Sequence, residues 1–187
     1  FSGKSAICVT FMHRLQKDGY QVGYLKPFSS AARVLAESSI DEDARFIKNA
    51  FKLSEPLETL APVVLTQQQM ETILAESNSD YRQMVKKAAE TVAEGKDIVV
   101  MEGSNNFREG YIVNLSPLET VELLDAKVLT VVGYQDDLQV VDDVLMTHVR
   151  IGERLVGVII NNVPTNRMDY VNNQAKPYLA SRGVEVL

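Results

Sequence analysis

The sequence contains a single cysteine, Cys8, two histidines and no tryptophan among its 187 residues. One cysteine cannot form an internal disulfide, so a reducing compartment such as the cytoplasm is the simplest expected setting. One cysteine and two histidines do not provide the ligand cluster that a zinc site needs. No Ser/His/Asp arrangement is apparent either, because His13 and His148 both fall within predicted helices. The sequence therefore does not favour disulfide-stabilised, zinc-dependent or serine-nucleophile classes of protein.

Basic runs and long apolar runs are also lacking. Lysine and arginine total 19 against 25 aspartates and glutamates, which gives a net charge of −6. We therefore expect no nucleic-acid-binding surface. No apolar run approaches the roughly 20 residues of a membrane helix, so we expect no membrane association. With 187 residues and 45% hydrophobic composition, the sequence predicts one globular domain over residues 1–187.

The most informative stretch is Ser2-Gly3-Lys4-Ser5, which matches the end of a phosphate-binding loop. In the full motif, Gly-x4-Gly-Lys-Ser/Thr, backbone N–H groups surround the phosphates, the lysine reaches the terminal ones and the hydroxyl binds Mg²⁺. We expect the first glycine of the motif and its strand to lie upstream of Phe1. The Gly-Lys-Ser triplet alone is also typical of an ordinary helix start, so its interpretation depends on the rest of the chain.

Apolar periodicity predicts an α/β fold. Apolar residues at four-residue steps predict a helix from Lys4 to Asp18, directly after the loop. Later apolar runs, typical of strands buried on both faces of a parallel sheet, alternate with helices. We therefore expect a mostly parallel sheet flanked by helices, the P-loop nucleoside triphosphate hydrolase fold, with a loop over Phe28–Ile40. The predicted strands are Tyr20–Pro27, Asp97–Glu102, Val128–Gly133, Leu155–Val163 and one that starts at Gly183; further helices are predicted over Asp41–Phe51, Gln67–Glu76, Asp80–Glu94, Leu118–Leu124, Leu138–Val149 and Arg167–Ser181.

Polar side chains follow several of the predicted strands. Lys26 comes at the end of one, Glu102 ends a second, and Asn161 and Asn162 end a third. Parallel strands bring their carboxyl ends to one edge of the sheet, where ligands bind in open α/β folds. Glu102 is especially informative, because a carboxylate beside a buried strand is costly unless it meets a cation or hydrogen-bond donors.

These groups match the requirements of phosphoryl transfer. Two lysines would offset phosphate charge, and a hydroxyl with two carboxylates would suit Mg²⁺, which prefers hard oxygen ligands. Each group also has an ordinary structural explanation, since strand-end lysines are often solvated and acids in a first helical turn act as caps. The candidates are Lys4, Lys26, Ser5, Glu102 and either Asp41 or Asp43, between which the residues alone do not decide.

Five segments together resemble the dethiobiotin synthetase-like P-loop proteins over nearly the whole chain. They are residues 2–5, 23–27, 41–44, 99–103 and 157–161. A closer similarity is to the dethiobiotin synthetase-like N-terminal domain of long phosphate acetyltransferases, which also occurs in DRTGG-domain proteins. It is carried by Asp-Glu-Asp-Ala at 41–44, Leu-Ala-Pro-Val-Val-Leu-Thr at 60–66 and Glu-Leu-Leu-Asp-Ala-Lys-Val-Leu at 122–129.

The resemblance implies ATP and Mg²⁺ as cofactors, and it implies a role for each candidate. Lys4 would contact the β- and γ-phosphates, and Lys26 matches a catalytic lysine of the synthetases. The implied Mg²⁺ ligands are Ser5, Asp43 and Glu102. The implied nucleotide contacts are Ser2, Gly3, Lys4, Ser5, Ala6 and Asn161, of which Asn161 matches the residue that recognises adenine. The resemblance also implies a homodimer and, in a larger protein, a C-terminal domain after Leu187.

The segment Ser104–Arg108 departs from the synthetases, which have a small, glycine-rich loop at this point. We therefore expect the nucleotide half of the site to be kept and the half for the biotin-pathway substrate to be changed. This favours a regulatory or sensor module of a phosphotransacetylase-type protein. The alternative is an ATP-dependent ligase or amide-forming enzyme of the dethiobiotin synthetase or cobyrinate a,c-diamide synthase kind. A third interpretation is a fold that acts only in assembly and binds no nucleotide.

Overall fold

The computed structural model describes residues 2–30, 33–35, 38–75, 80–104 and 106–187. Over these residues the chain is a helix-rich α/β structure with parallel strand pairs, which confirms the predicted fold class. The chain divides into two compact units, one of residues 1–4 with 125–187 and one of residues 5–124. Through the described ranges, no helix combines the length and apolar character that crossing a membrane requires.

Within the described ranges, the unit of residues 5–124 contains two strand pairs, six α-helices or parts of α-helices, and a 3-10 helix over Tyr111–Val113. Its parallel pair runs in register from Val22↔Ile98 to Leu25↔Met101. The strands are β1 (Val22–Leu25), β2 (Arg33–Leu35), β3 (Ser38–Ile40) and β4 (Ile98–Met101). The helices are α1 (Lys4–Lys17), α2 (Glu42–Phe51), α3 (Leu57–Leu60), α4 (Gln67–Ala75), α5 (Tyr81–Ala93) and α6 (Pro117–Leu123).

The predicted loop over Phe28–Ile40 is wrong in part, because β2 and β3 form an antiparallel pair there. Ser29 also forms a parallel bridge with Val64. Each of these two strands is three residues long, which is too short to show the alternation over four to eight residues that identifies a strand. Four residues of the predicted loop, together with the predicted helix end Glu76 and the loop residue Asn105, lie outside the described residues.

A buried core fixes β1 between the helices of this unit. All four residues of β1 are buried, as expected for a strand covered on both faces. Met12 of α1, Ile47 of α2 and Val92 of α5 belong to the same core cluster. This packing sets the position of the residues that follow the carboxyl ends of β1 and β4.

The second unit is built on the parallel pair β5 (Val128–Gly133) and β6 (Leu155–Asn161), linked by α7 (Asp137–Ile151). Val186 adds a parallel bridge to Val158, at the place where a last strand was predicted. The predicted helix over 167–181 is present as α8 (Met168–Tyr170), a wide π-helical turn and α9 (Lys176–Ser181). Pro177 lies in the first turn of α9, and the wide turn just before it is the interruption expected of a proline.

Candidate functional site

Glu102 is the centre of a hydrogen-bond cluster just after the carboxyl end of β4. The residue is only 1% exposed. Ser5 Oγ donates a hydrogen bond of 2.6 Å to Glu102 Oε1, and the Tyr24 hydroxyl donates one of 2.9 Å to Oε2. These donors offset the cost of burying a carboxylate. The structure thus brings together the hydroxyl and the strand-end carboxylate that the sequence singled out as Mg²⁺ ligands.

Lys26 follows β1 directly and is paired with two carboxylates. Its Nζ lies 2.8 Å from Asp41 Oδ2 and 2.8 Å from Asp43 Oδ2. Burial favours the neutral form of this lysine, but the hydrogen bonds to Asp41 and Asp43 outweigh it and raise the pKa of Lys26 above its ordinary value. Lys26 is therefore a buried ammonium group whose charged form is stabilised by its two carboxylate partners.

Asp41 and Asp43 differ in the hydrogen bonds that their carboxylates accept and in how far they are exposed. Asp41 caps α2, where its Oδ1 accepts from the Ala44 N–H at 2.8 Å, and its Oδ2 accepts from the Ser29 hydroxyl at 2.6 Å. Burial raises the pKa of Asp41, but hydrogen bonds from Lys26, Ser29 and Ala44 outweigh burial and lower that pKa below its usual value. The Asp41 side chain is 2% exposed and that of Asp43 is 49% exposed. Asp41 is thus fixed, whereas the Asp43 carboxylate is accessible to a ligand.

A cleft of about 100 Å³ opens between α1 and α2, and Ser5 and Asp43 both line it. Its other lining residues are Ala6, Val9, Phe46 and Ile47. Among the described side chains, no group of three or more His, Cys, Asp or Glu could hold a metal ion. At this cleft Asp43 offers a carboxylate and Ser5 a hydroxyl, and Glu102 is hydrogen-bonded to that hydroxyl. Hard oxygen donors of this kind suit Mg²⁺.

Asn161, at the end of β6, contacts the loop residues that precede α1. Its Nδ2 donates a hydrogen bond of 2.8 Å to the backbone carbonyl of Ser2. Gly3 has φ +85°, and a Cβ at this position would lie 2.3 Å from Asn161 Nδ2. Only glycine fits such a position without displacing its neighbour. The predicted loop residues Ser2 and Gly3 therefore contact the residue predicted to recognise adenine, and α1 begins at Lys4, directly after them.

Sequence reasoning missed Tyr24 as a member of the site. Alternate residues of a strand point to the same face, so Tyr24 and Lys26 share a face of β1 and its extension. A tyrosine two positions before a candidate lysine is the signal that could have identified it. Ser29, the second residue that was missed, lies in a segment whose sequence carries no such signal.

A family model described as an AAA domain matches residues 1–187. Similar proteins include three named ATP-dependent dethiobiotin synthetase BioD. The relative from Caldicellulosiruptor saccharolyticus is 28% identical over 103 residues, which cover 54% of this chain and 42% of the relative. The relative from Caldicellulosiruptor bescii is 29% identical over 103 residues, with the same coverage of 54% and 42%. The relative from Clostridium kluyveri is 28% identical over 107 residues, covering 56% of this chain and 44% of the relative.

These matches confirm the resemblance to dethiobiotin synthetase-like P-loop proteins. They span less than half the length of the relatives, 42% to 44%. The closer similarity to a domain of phosphate acetyltransferases stays a prediction. Because the family match extends over residues 1–187, the chain belongs to this AAA domain family.

Proposed function

We propose that this chain is an ATP- and Mg²⁺-binding domain that acts as a regulatory or sensor module of a larger, phosphotransacetylase-type protein. The observation that carries the proposal is the hydrogen bond from Ser5 to Glu102 beside a cleft that Asp43 also lines. Ser5, the last residue of the Gly-Lys-Ser triplet, is thus hydrogen-bonded to one carboxylate and lines a cleft with a second one. The relatives named as ATP-dependent synthetases favour ATP over other anions.

The phosphate end of the nucleotide is assigned to the start of α1. Unpaired N–H groups and the helix dipole favour an anion at a helix N-terminus. Lys4 adds a full positive charge there, and Gly3 has no side chain to keep the backbone from the phosphates. In the same proposal, Ser2 and Ala6 contact the nucleotide, and Asn161 recognises adenine.

The metal is assigned to Ser5, Asp43 and Glu102. The Ser5 hydroxyl donates its hydrogen bond to Glu102, so lone pairs of the serine oxygen can face a cation. Asp43 is half exposed, so its carboxylate can leave its ion pair with Lys26 and bind a metal ion instead. When bound, Mg²⁺ would offset the negative charge of the phosphate oxygens.

Lys26 is assigned the role of stabilising the negative charge that develops on the phosphate. Its positive charge, which the raised pKa of Lys26 favours, suits this role. Asp41 holds Lys26 from the buried side, at 2.8 Å. If Asp43 moved to the metal, the Lys26 ammonium would therefore keep one carboxylate partner.

The loop after β4 supports a sensor over a ligase. Phe107 there is half-buried and Arg108 is exposed. Asn106 accepts a hydrogen bond from the Arg108 N–H at 2.8 Å and donates one to Glu109 at 3.1 Å. Large side chains and internal hydrogen bonds thus occupy the segment where the synthetases have a small, glycine-rich loop.

The second candidate function is an ATP-dependent ligase of the dethiobiotin synthetase or cobyrinate a,c-diamide synthase kind. It is favoured by one observation, that the lysine matching the catalytic residue is present and held between two carboxylates. A ligase would need a substrate-binding surface in addition to the nucleotide site.

An assay with 7,8-diaminononanoate, bicarbonate and ATP distinguishes the two candidates. We expect calorimetry to show ATP binding with Mg²⁺, together with slow ATP hydrolysis and no dethiobiotin above background. Dethiobiotin formed at ordinary enzyme rates would overturn the sensor role and establish the ligase. Absence of ATP binding would overturn both and leave the assembly role.

We also propose that the protein is a homodimer in the cytoplasm, as the family resemblance implies. Light scattering on the purified protein measures the mass directly. A monomer mass across the micromolar range would overturn the dimer. Fractionation of the cells that produce the protein tests its location.

A further inference from the structure

Tyr24 is completely buried, with 0% of its surface exposed. Among the described residues it is the largest side chain that is fully buried. A phenol hydroxyl in a core is costly unless it has a hydrogen-bond partner. Phenylalanine would fill nearly the same volume without that cost, so packing alone does not explain a tyrosine here. The partner of the hydroxyl is Glu102 Oε2, at 2.9 Å.

The strand ladder, and not a loop, places this hydroxyl. Tyr24 on β1 is the register partner of Val100 on β4. Glu102 lies two residues beyond Val100, and residues two apart share one face of a strand. Side chains held on paired strands are positioned more accurately than side chains on loops.

Ser5 and Tyr24 donate to different oxygens of Glu102 and come from different elements. Ser5, on α1, donates to Oε1, and Tyr24, on β1, donates to Oε2. In the bond to Tyr24 the hydroxyl donates and the carboxylate accepts. A donor on each oxygen fixes the plane of the carboxylate.

We propose that Tyr24 is a positioning residue, which holds the Glu102 carboxylate in the orientation needed for metal-dependent nucleotide binding. The inference rests on the proposed function, because it assumes that Glu102 serves Mg²⁺. Tyr24 has no exposed surface and touches no ligand itself. It acts through Glu102, in the way that residues hydrogen-bonded to metal ligands orient those ligands.

The test is the ratio of the ATP dissociation constants in EDTA and in Mg²⁺, measured by calorimetry for the wild type and for Tyr24→Phe. We expect Tyr24→Phe to weaken ATP binding in Mg²⁺ by about 10-fold, the lower end for partners of metal ligands, with binding in EDTA unchanged. Tyr170→Phe is the matched control, because it removes a tyrosine hydrogen bond of 2.7 Å to the Asp137 carbonyl. It should leave the ratio as in the wild type.

A double variant separates positioning from general destabilisation. If Tyr24 acts through Glu102, Tyr24→Phe adds no further loss of the Mg²⁺ effect in a Glu102→Gln background. Should Tyr24→Phe be too unstable for calorimetry, the rise in Tm caused by ATP with Mg²⁺, minus the rise with EDTA, gives the same comparison.

The outcomes distinguish this inference from the function on which it rests. A Tyr24→Phe ratio equal to that of the wild type, with a reduced ratio in Glu102→Gln, would overturn the inference and leave the proposed function standing. A wild-type protein that binds ATP equally with and without Mg²⁺ would overturn the assigned metal site and the inference together.

Discussion

Ser5 Oγ and Glu102 Oε1 form a hydrogen bond of 2.6 Å although 97 positions separate the two residues in the sequence. Ser5 lies in the first turn of α1, and Glu102 follows β4 directly. The bond therefore joins the end of a phosphate-loop motif to a strand-end carboxylate. It is the arrangement on which the proposed magnesium site depends.

Glu102→Gln should weaken ATP binding in Mg²⁺ by about 10-fold or more and leave binding in EDTA nearly unchanged. The reason is that an amide keeps the shape of the side chain but removes the negative charge that would favour the cation. Calorimetry with and without metal measures both constants. Glu122→Gln, at an exposed position of α6, is the control. Equal losses in Mg²⁺ and EDTA would mean that Glu102 is structural.

Asp41→Asn should mainly reduce stability, whereas Asp43→Asn should mainly reduce metal-dependent ATP binding. Asp41 is buried and bonded to Lys26, Ser29 and Ala44, so its loss should lower the free energy of unfolding by about 1–3 kcal/mol. Asp43 is half exposed, so its loss should cost less than about 1 kcal/mol but weaken ATP binding in Mg²⁺. Urea unfolding and calorimetry on both variants measure these effects. The reverse pattern would assign the metal to Asp41.

Gly3→Ala should reduce ATP affinity and stability more than Gly19→Ala. Both glycines have positive φ, +85° and +95°, so alanine at either site meets a similar backbone cost, about 1–2 kcal/mol. At Gly3 the added Cβ would also lie 2.3 Å from Asn161 Nδ2, whereas nothing lies within 4 Å at Gly19. Urea unfolding and ATP titration compare the variants. Identical losses would show that the contact with Asn161 does not constrain the loop.

Glu55→Gln should lower stability at neutral pH and have little effect in acid. Burial raises the pKa of Glu55, but its own backbone N–H and the Lys96 ammonium, 3.5 Å away, outweigh burial and lower that pKa below the usual 4.5. A lowered folded-state pKa stabilises the fold above the unfolded-state pKa, and this contribution is lost as pH falls through the folded-state value. We expect a loss of less than about 1 kcal/mol at pH 7, shrinking as the pH falls below that usual value.

Urea unfolding of the Glu55→Gln variant at several pH values checks this prediction. Glu58→Gln is the control, since Glu58 is exposed on α3. A difference from the wild type that stays constant from neutral to acidic pH would contradict it.

The fold and part of the site could be predicted because their signals are local. Apolar runs mark β4, β5 and β6, and a buried strand that ends in Glu102 is itself a reason to look for donors. The Gly-Lys-Ser triplet identified Ser5 in the same way. Parallel pairing then explains why groups far apart in sequence lie near each other.

The remaining features depend on neighbours that the sequence does not identify. Whether Tyr24 is packing or a donor depends on Glu102, 78 positions away. The difference between Asp41 and Asp43 arises because one is the N-cap of α2 and the other faces the cleft. In the sequence, both residues have the same appearance, that of an acid at the start of a helix. The β2–β3 pair was missed because three-residue strands carry no periodicity.

The most direct test of the central claim is calorimetric titration of ATP in Mg²⁺ into the wild-type protein and Lys4→Ala, with Lys17→Ala as the control. Lys4 is the first residue of α1, beside the proposed phosphates, and Lys17 is the last residue of the same helix. We predict saturable binding by the wild type and by Lys17→Ala, and no measurable binding by Lys4→Ala, which should remain folded. An ATP affinity of Lys4→Ala equal to that of the wild type would contradict a phosphate site at this loop.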